Sequence, residues 1–408
     1  MNARPARSRR LLASAGAGAT VLALLGLSAC GSSGGSSSDA KATTAAAAGS
    51  SAGSSASGSR TAKVTISAAK GCTLDHDSFH AGALTFDISN TDATAISEVE
   101  LVSGQRIVGE KENLPPGFSG TFSVNVPAGS YTLYCPGAAQ ENTPIKVTGS
   151  SASTGATSQS ALLAQGTKEY AAYVTSQLSY LVSTTEALDK ALKGTDLAAA
   201  QAAYMKARPY YEKIEPVAES FTVGKDDLDS DIDARADDVP ASQWRGFHPI
   251  EKGLFQAKSL TGLATYGDRL LADVKKLQTL TKGLSYQPYE LANGAQGLLD
   301  EVASSKITGE EERYSHIDML DFQNNDEGAE QAFADLQPAL RKVDPALTES
   351  IASAFAALDK LVDGYRTGAN PSGFVLYTSL TTADKQKLAA AVKAVQEPLS
   401  QVASKVAG

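Results

Sequence analysis

The sequence predicts a two-domain protein in which a small all-β sandwich or barrel precedes an all-α helical bundle. Three observations carry that expectation. The chain has 408 residues, too many for one average domain and suited to two once its ends are set aside. From residue 61 to 149 it is written in short, β-branched stretches that alternate apolar and polar positions between turn residues. From 161 to 408 it changes to long segments with apolar residues three and four apart. A hydrophobic content of 42% supports a packed core, and a formal net charge of −9 argues against nucleic acid, whose phosphates would be repelled. The acidic balance suits a cation-handling protein, and equally any soluble one.

In chain order, residues 1–30 read as a secretory signal: Arg4, Arg7, Arg9 and Arg10 precede the apolar run LLASAGAGATVLALLGLSAC. The run closes on Leu27-Ser28-Ala29-Cys30, which resembles the lipobox of bacterial lipoproteins. By that resemblance Cys30 becomes the lipidated first residue of the mature chain, anchored on the extracytoplasmic face of the cell membrane. The plainer readings are an ordinary small-residue cleavage site or an uncleaved anchor; a cysteine directly after Leu-x-Ala favours the lipobox. Residues 31–60 are almost entirely Gly, Ser, Ala and Thr, the composition of a flexible tether. Cys30 accounts for the odd cysteine and leaves Cys72 and Cys135 for an oxidising compartment.

The β segment, 61–149, contains AKVTISAAKGCTL, GALTFDISN, ISEVELV, RIVGEKENL, GTFSVNVPAGSYTLYC and TPIKVTG. Cys72 and Cys135 lie near its two ends, so a disulfide tying first and last strands is one reading. Copper is the other. A blue-copper centre needs two His, a Cys and usually an axial Met, yet CPGAAQENTPIKV offers neither His nor Met after Cys135. His76 and His80, with Cys72, Asp75 and Asp77, would form a looser metal site, although a polar turn collects the same residue types.

A second Ser/Gly/Thr-rich linker occupies 150–160, and the helical segment follows. Its acids concentrate in YYEKIEPVAESFTVGKDDLDSDIDARADDVP. Glu212, Glu215 and Glu219 share a helical spacing that Pro216 must interrupt, and Asp229, Asp231 and Asp233 alternate beyond it. Such runs are usually solvated faces or helix caps. These acids, however, lead into GFHPIEKGLF, where His248 and Glu251 stand three apart on one face of a helix that Pro249 suits in its first turn. In TGEEERYSHIDMLDFQ, Glu311 fits a capping box with Thr308, and His316 and Asp318 lie further on. Bundles gather metal ligands from several helices, and hard cations and iron favour carboxylates with one imidazole. A zincin or its inverted form needs a second histidine; position 252 is Lys, which disfavours metallopeptidase chemistry.

Taken together, ENLPPGFSGTF, GSYTLYC, YYEKIEPVAESF, DIDARADD, GFHPIEKGLF, EVASSKITGEEERYSHIDMLDFQNNDEGAEQAF and ALDKLVDGYR resemble the EfeO family of iron-uptake lipoproteins, from residue 61 to the end. The resemblance implies a cupredoxin-like domain over 61–149 and an imelysin-like bundle over 161–408, a fold once classed as a peptidase. It implies an iron-binding protein that works outside the membrane with a membrane iron permease and a haem peroxidase. The family's bundle site falls on His248 and Glu251, with Glu215, Glu212, Asp229, Asp233 and Glu311 as carboxylate partners. A second site in the β domain, for iron, copper or zinc, falls on Glu98 and Glu100 beside Cys72 and Cys135. Leu133 and Tyr134 precede Cys135 where a methionine thioether would serve copper. A metal-dependent peptidase is the competing function.

Overall fold

The computed structural model describes residues 60–407 apart from 97, 105, 112–113, 150–157, 222–226 and 237. The expected signal segment, Cys30, the tether up to residue 59 and most of the 150–160 linker lie outside the described residues. A β-sheet region comes first and a helical region follows. Among the described residues no helix is long and apolar enough to cross a membrane.

The strands are β1 Thr61–Ser67, β2 Gly71–Leu74, β3 Ser78–His80, β4 Gly82–Asn90, β5 Val99–Ser103, β6 Arg106–Lys111, β7 Ser119–Val126, β8 Gly129–Tyr134 and β9 Asn142–Thr148. They form two sheets, ordered β2-β1-β4-β7 and β3-β9-β8-β5-β6, with parallel pairs β1/β4 and β3/β9 and antiparallel pairs elsewhere. Period-2 alternation explains the strands directly: in β1, Ala62, Val64 and Ile66 are buried while Thr61, Lys63 and Thr65 are exposed. Phe86 and Phe122 are register partners and stack at 4.7 Å in the core. Asn90, fully buried at the end of β4, donates to the carbonyls of Ala93, Ile96 and Leu114 at 2.8, 3.0 and 2.7 Å and accepts from the Ala93 amide at 2.9 Å. One side chain thereby satisfies loop carbonyls that have left the ladder.

The helices are α1 Ser158–Leu192, α2 Leu197–Glu212, α3 Glu215–Glu219, α4 Leu228–Asp233, α5 Phe247–Glu251, α6 Leu263–Thr281, α7 Pro288–Ser304, α8 Asp318–Val343, α9 Pro345–Asp363, α10 Thr382–Leu399 and α11 Val402–Val406. The first turn of α1 therefore falls within the stretch read as linker. Pro216 interrupts the acidic helix as its missing N–H requires: α2 stops at Glu212, and α3 restarts with Pro216 in its first turn. The helices also meet the sheets. Arg106 pairs with Glu290 at 3.2 Å, Lys111 pairs with Asp300, and the Asn293 amide donates to the Ser123 carbonyl at 2.9 Å.

Candidate metal centre

The centre is assembled from α2, α4, α5, the turns at 309–317, and the start of α8. On α2, Ala200, Tyr204, Ala207 and Tyr211 form the buried stripe, and Arg208 lies within it with Glu212 one turn on. Asp227 caps α4 by accepting from the Ser230 amide at 2.9 Å, which places Asp233 at the far end of that short helix. Gly246, at φ 93°, starts α5, and a Cβ there would lie 2.0 Å from the Ile232 carbonyl oxygen. Only glycine permits that approach, and it brings His248 to Asp233. After Glu251 the helix widens into a π-turn over Lys252–Gln256. Trp244, just before α5, donates its indole N–H to the Ala234 carbonyl at 2.8 Å.

The Thr308–Glu311 capping box does not form. Gly309 turns the chain at φ 80°, Thr308 donates its hydroxyl to the Ser305 carbonyl at 2.7 Å, and α8 begins only at Asp318. Residues 310–315 are instead turns that direct Glu311 and Glu312 inward, ending on His316 at φ 60°. Those turns present the Tyr314 and Ser315 amides to Glu251 Oε1, both at 2.7 Å.

His248 is 2% exposed and uses its two ring nitrogens differently. Nδ1 lies 3.4 Å from Glu251 Oε2, whereas Nε2 has no hydrogen-bond partner and faces Asp233 Oδ1 at 3.3 Å and Glu311 Oε1 at 3.6 Å. Glu251 therefore orients the ring from behind, clamped by two amides, and Asp233 and Glu311 converge with Nε2 on the other side. Asp233, His248 and Glu311 each bring one ligand atom, all within 4.8 Å of one another, and all three are buried. An imidazole nitrogen and two carboxylates fit iron or another hard to borderline cation.

Around them the charge is one-sided. Glu212, Glu215, Asp233, Glu251, Glu301, Glu311, Glu312, Asp318 and Asp321 are buried, against Arg208, Arg235 and Lys306 as permanent buried cations. Arg208, fully buried, contacts Asp233, Glu212, Glu311 at 2.9 Å, Glu312 at 3.1 Å and Asp321 at 3.3 Å. The ammonium of Lys306 sits 2.9 Å from Glu212, 2.6 Å from Glu215 and 3.9 Å from Glu301. Arg235 holds Glu311 at 3.1 Å.

Burial pushes the Glu215, Glu312 and Asp321 carboxyls well above the usual range and Asp318 to about 7. For Glu311 burial acts in the same upward sense, but Lys306, His248 and Arg235 outweigh it and hold that carboxyl well below. Burial alone would depress His248; Asp233, Glu251 and Glu311 outweigh it and raise the imidazole well above its ordinary value.

Of the residues picked from sequence, His248, Glu251, Glu212, Glu215, Asp233 and Glu311 meet in this one buried cluster. Asp229 does not join them; it accepts from the Tyr211 hydroxyl at 2.7 Å, and Asp231 pairs with Arg245. Cys72 and Cys135 form a disulfide, which withdraws both thiolates from the second site expected in the β segment. Glu98 and Glu100 are buried, but among the described residues the ligand groups close enough to hold an ion all lie in the helical region. Sequence reasoning missed Arg208, Lys306, Glu312 and Asp321. The Arg208 signal was available, since an arginine within an apolar helical stripe must find buried partners.

With a helical bundle and a buried imidazole–carboxylate cluster described, comparison with known proteins becomes specific. The chain belongs to the imelysin family, whose model matches residues 166–402, and within it to the EfeO group. It is 37% identical over 345 residues to proteins named iron uptake system component EfeO from Escherichia coli O157:H7, Escherichia coli strain K12 and Shigella flexneri. Each alignment covers 83% of this chain and 90% of the relative.

Proposed function

We propose that this chain is the extracytoplasmic iron-binding component of an uptake system, capturing iron at Asp233, His248 and Glu311 and passing it to a membrane iron permease, with a haem peroxidase as a further partner. The observation that carries the reading is the enclosed Nε2 of His248, which makes no well-aligned hydrogen bond and faces two buried carboxylates at 3.3 and 3.6 Å. So many buried acids must be neutralised by protons or by a cation, and an ion that takes the place of those protons suits the cluster. Oxygen ligands with a single imidazole favour iron over copper, and the lack of a second histidine favours iron over a zinc-peptidase site. The names of the EfeO relatives agree in direction. The same reading takes 61–149 as a cupredoxin-like domain, the chain as a carrier rather than an enzyme, and Cys30 as a lipid anchor followed by the 31–60 tether.

Binding requires a bare Nε2, so capture releases the proton that the surrounding acids hold on His248. Ligand binding to the folded state alone raises its stability by mass action. Iron should therefore raise the melting temperature of the wild-type protein, and His248→Ala should abolish that rise while keeping the wild-type circular dichroism. Glu251→Gln should weaken binding by about 10- to 100-fold, the usual cost of losing an orienting partner. Calorimetric iron affinity unchanged in His248→Ala would remove the site, and robust metal-dependent cleavage of casein would replace the carrier with a peptidase.

A further inference from the structure

We propose that Arg208 is a built-in competitor for the metal's ligand atoms, limiting how tightly and how selectively the site holds an ion and so permitting release; this rests on the iron-binding reading above. The same two oxygens serve both cations. Asp233 Oδ1 holds Arg208 Nη1 and lies 3.3 Å from His248 Nε2. Glu311 Oε1 accepts from Arg208 Nη2 at 2.9 Å and lies 3.6 Å from His248 Nε2. An ion seated among Asp233, His248 and Glu311 must draw on oxygens that the guanidinium already uses. A carboxylate oxygen has lone pairs for two partners, so both cations can stay, but they then repel across a few ångströms of dry protein.

Arginine cannot escape by losing its proton. It can lean away, because Glu212, Glu312 and Asp321 also contact it, and Asp321 Oδ1, beside the Oδ2 that already accepts from Nη2, has no hydrogen-bond partner. The Phe247 ring, 5.1 Å from the guanidinium carbon, forms a wall beside it. Ion entry thus shifts Arg208 toward the acids on α2, α8 and the 310–315 turns, and its return to Asp233 and Glu311 drives release. Repulsion grows with the charge of the ion, so Arg208 weighs more heavily on a trivalent than on a divalent guest.

The test compares wild type, Arg208→Gln and Arg208→Lys by competition against a chromophoric chelator. Redox-stable manganese(II) and gallium(III), the latter supplied as its citrate, serve as probes, and release is followed by stopped flow. Arg208→Gln should bind manganese at least tenfold tighter, gain more for gallium, and release both more slowly. Arg208→Lys, whose ammonium reaches fewer carboxylates, should fall between. Folded Arg208→Gln that binds no tighter, or gains equally for both ions, overturns the proposal. If Arg208→Gln does not fold without metal, Arg208→Lys decides by the same criteria. Wild type that binds neither ion removes the iron reading and the competitor with it, an outcome distinct from a wild type that binds and a variant that gains nothing.

Discussion

Asp326 sits on α8 away from the candidate metal centre, 2% exposed, with one carboxyl oxygen lacking a hydrogen-bond partner. Burial, then the charges of Asp359 on α9 and of Glu330, push its pKa from 3.8 to about 9, and it shares a hydrogen bond with Asp359. The folded protein therefore keeps a proton on Asp326 that the unfolded chain gives up near pH 4. Between those values the folded state binds more protons, so stability is fully present at low pH and falls as pH rises, by up to about 1.4 kcal/mol per unit. From pH 5 to pH 8 the loss attributable to this one group approaches about 4 kcal/mol. Asp326→Asn removes the proton from the problem: the carboxamide is neutral at every pH and can donate to Asp359 as the protonated acid does. Urea unfolding of both proteins at half-unit steps from pH 5 to pH 8 measures the difference. The advantage of the variant should widen steadily with pH, and Asp359→Asn, which removes the charge facing Asp326, should flatten the wild-type slope in part. Parallel stability curves for wild type and Asp326→Asn would show that Asp326 is ionised in the folded state and would refute the reasoning.

Asn90→Ala should destabilise the β-sheet region by about 3 kcal/mol in chemical denaturation, because three buried carbonyls lose their donor at once; Asn90→Asp, which faces those carbonyls with acceptors alone, should be worse. Lys306→Met should cost about 3–5 kcal/mol by leaving Glu212 and Glu215 buried without their ammonium, and adding Glu215→Gln should restore part of that in the same assay. Cys72 and Cys135 should resist alkylation until reductant is added, as read by mass. Their joint replacement by Ala should lower stability by up to about 4 kcal/mol, the chain entropy released with a bridge spanning 63 residues.

Strands and long helices were legible because their signal is local. β1 alternates residue by residue, and Pro216 and Pro249 act on the turn they occupy. β3, three residues long, left no pattern to read. At the candidate metal centre, His248 and Glu251 stood out by type and spacing, yet their division of labour did not. Which ring nitrogen faces Asp233 depends on the 309–317 turns, whose amides clamp Glu251 from more than sixty positions away in the chain. Glu310, Glu311 and Glu312 are alike as letters, and only the Gly309 and His316 backbone angles turn the latter two inward. Lys306, in VASSKITG, looks like an ordinary solvated charge, because the acids that capture it come from α2, α3 and α7. Long-range pairing of opposite charges leaves no periodicity behind.

The phenols near the centre carry an optical consequence. Tyr204 donates its hydroxyl to Glu312 at 2.8 Å and Tyr211 donates to Asp229 at 2.7 Å, so neither offers a phenolate to an ion at Asp233, His248 and Glu311. With the thiols of Cys72 and Cys135 locked in a disulfide, thiolate is absent there too. Ferric iron bound only by carboxylates and imidazole lacks the intense visible charge-transfer bands of iron–phenolate and iron–thiolate centres. Loaded protein should look almost colourless, and an absorbance titration would understate its iron. Fluorescence escapes that blindness. Trp244 is the one tryptophan of the chain, and its indole hydrogen bond ends on Ala234, the residue next to Asp233. A paramagnetic ion held at Asp233 would quench that indole emission, and the protein would then report its own occupancy.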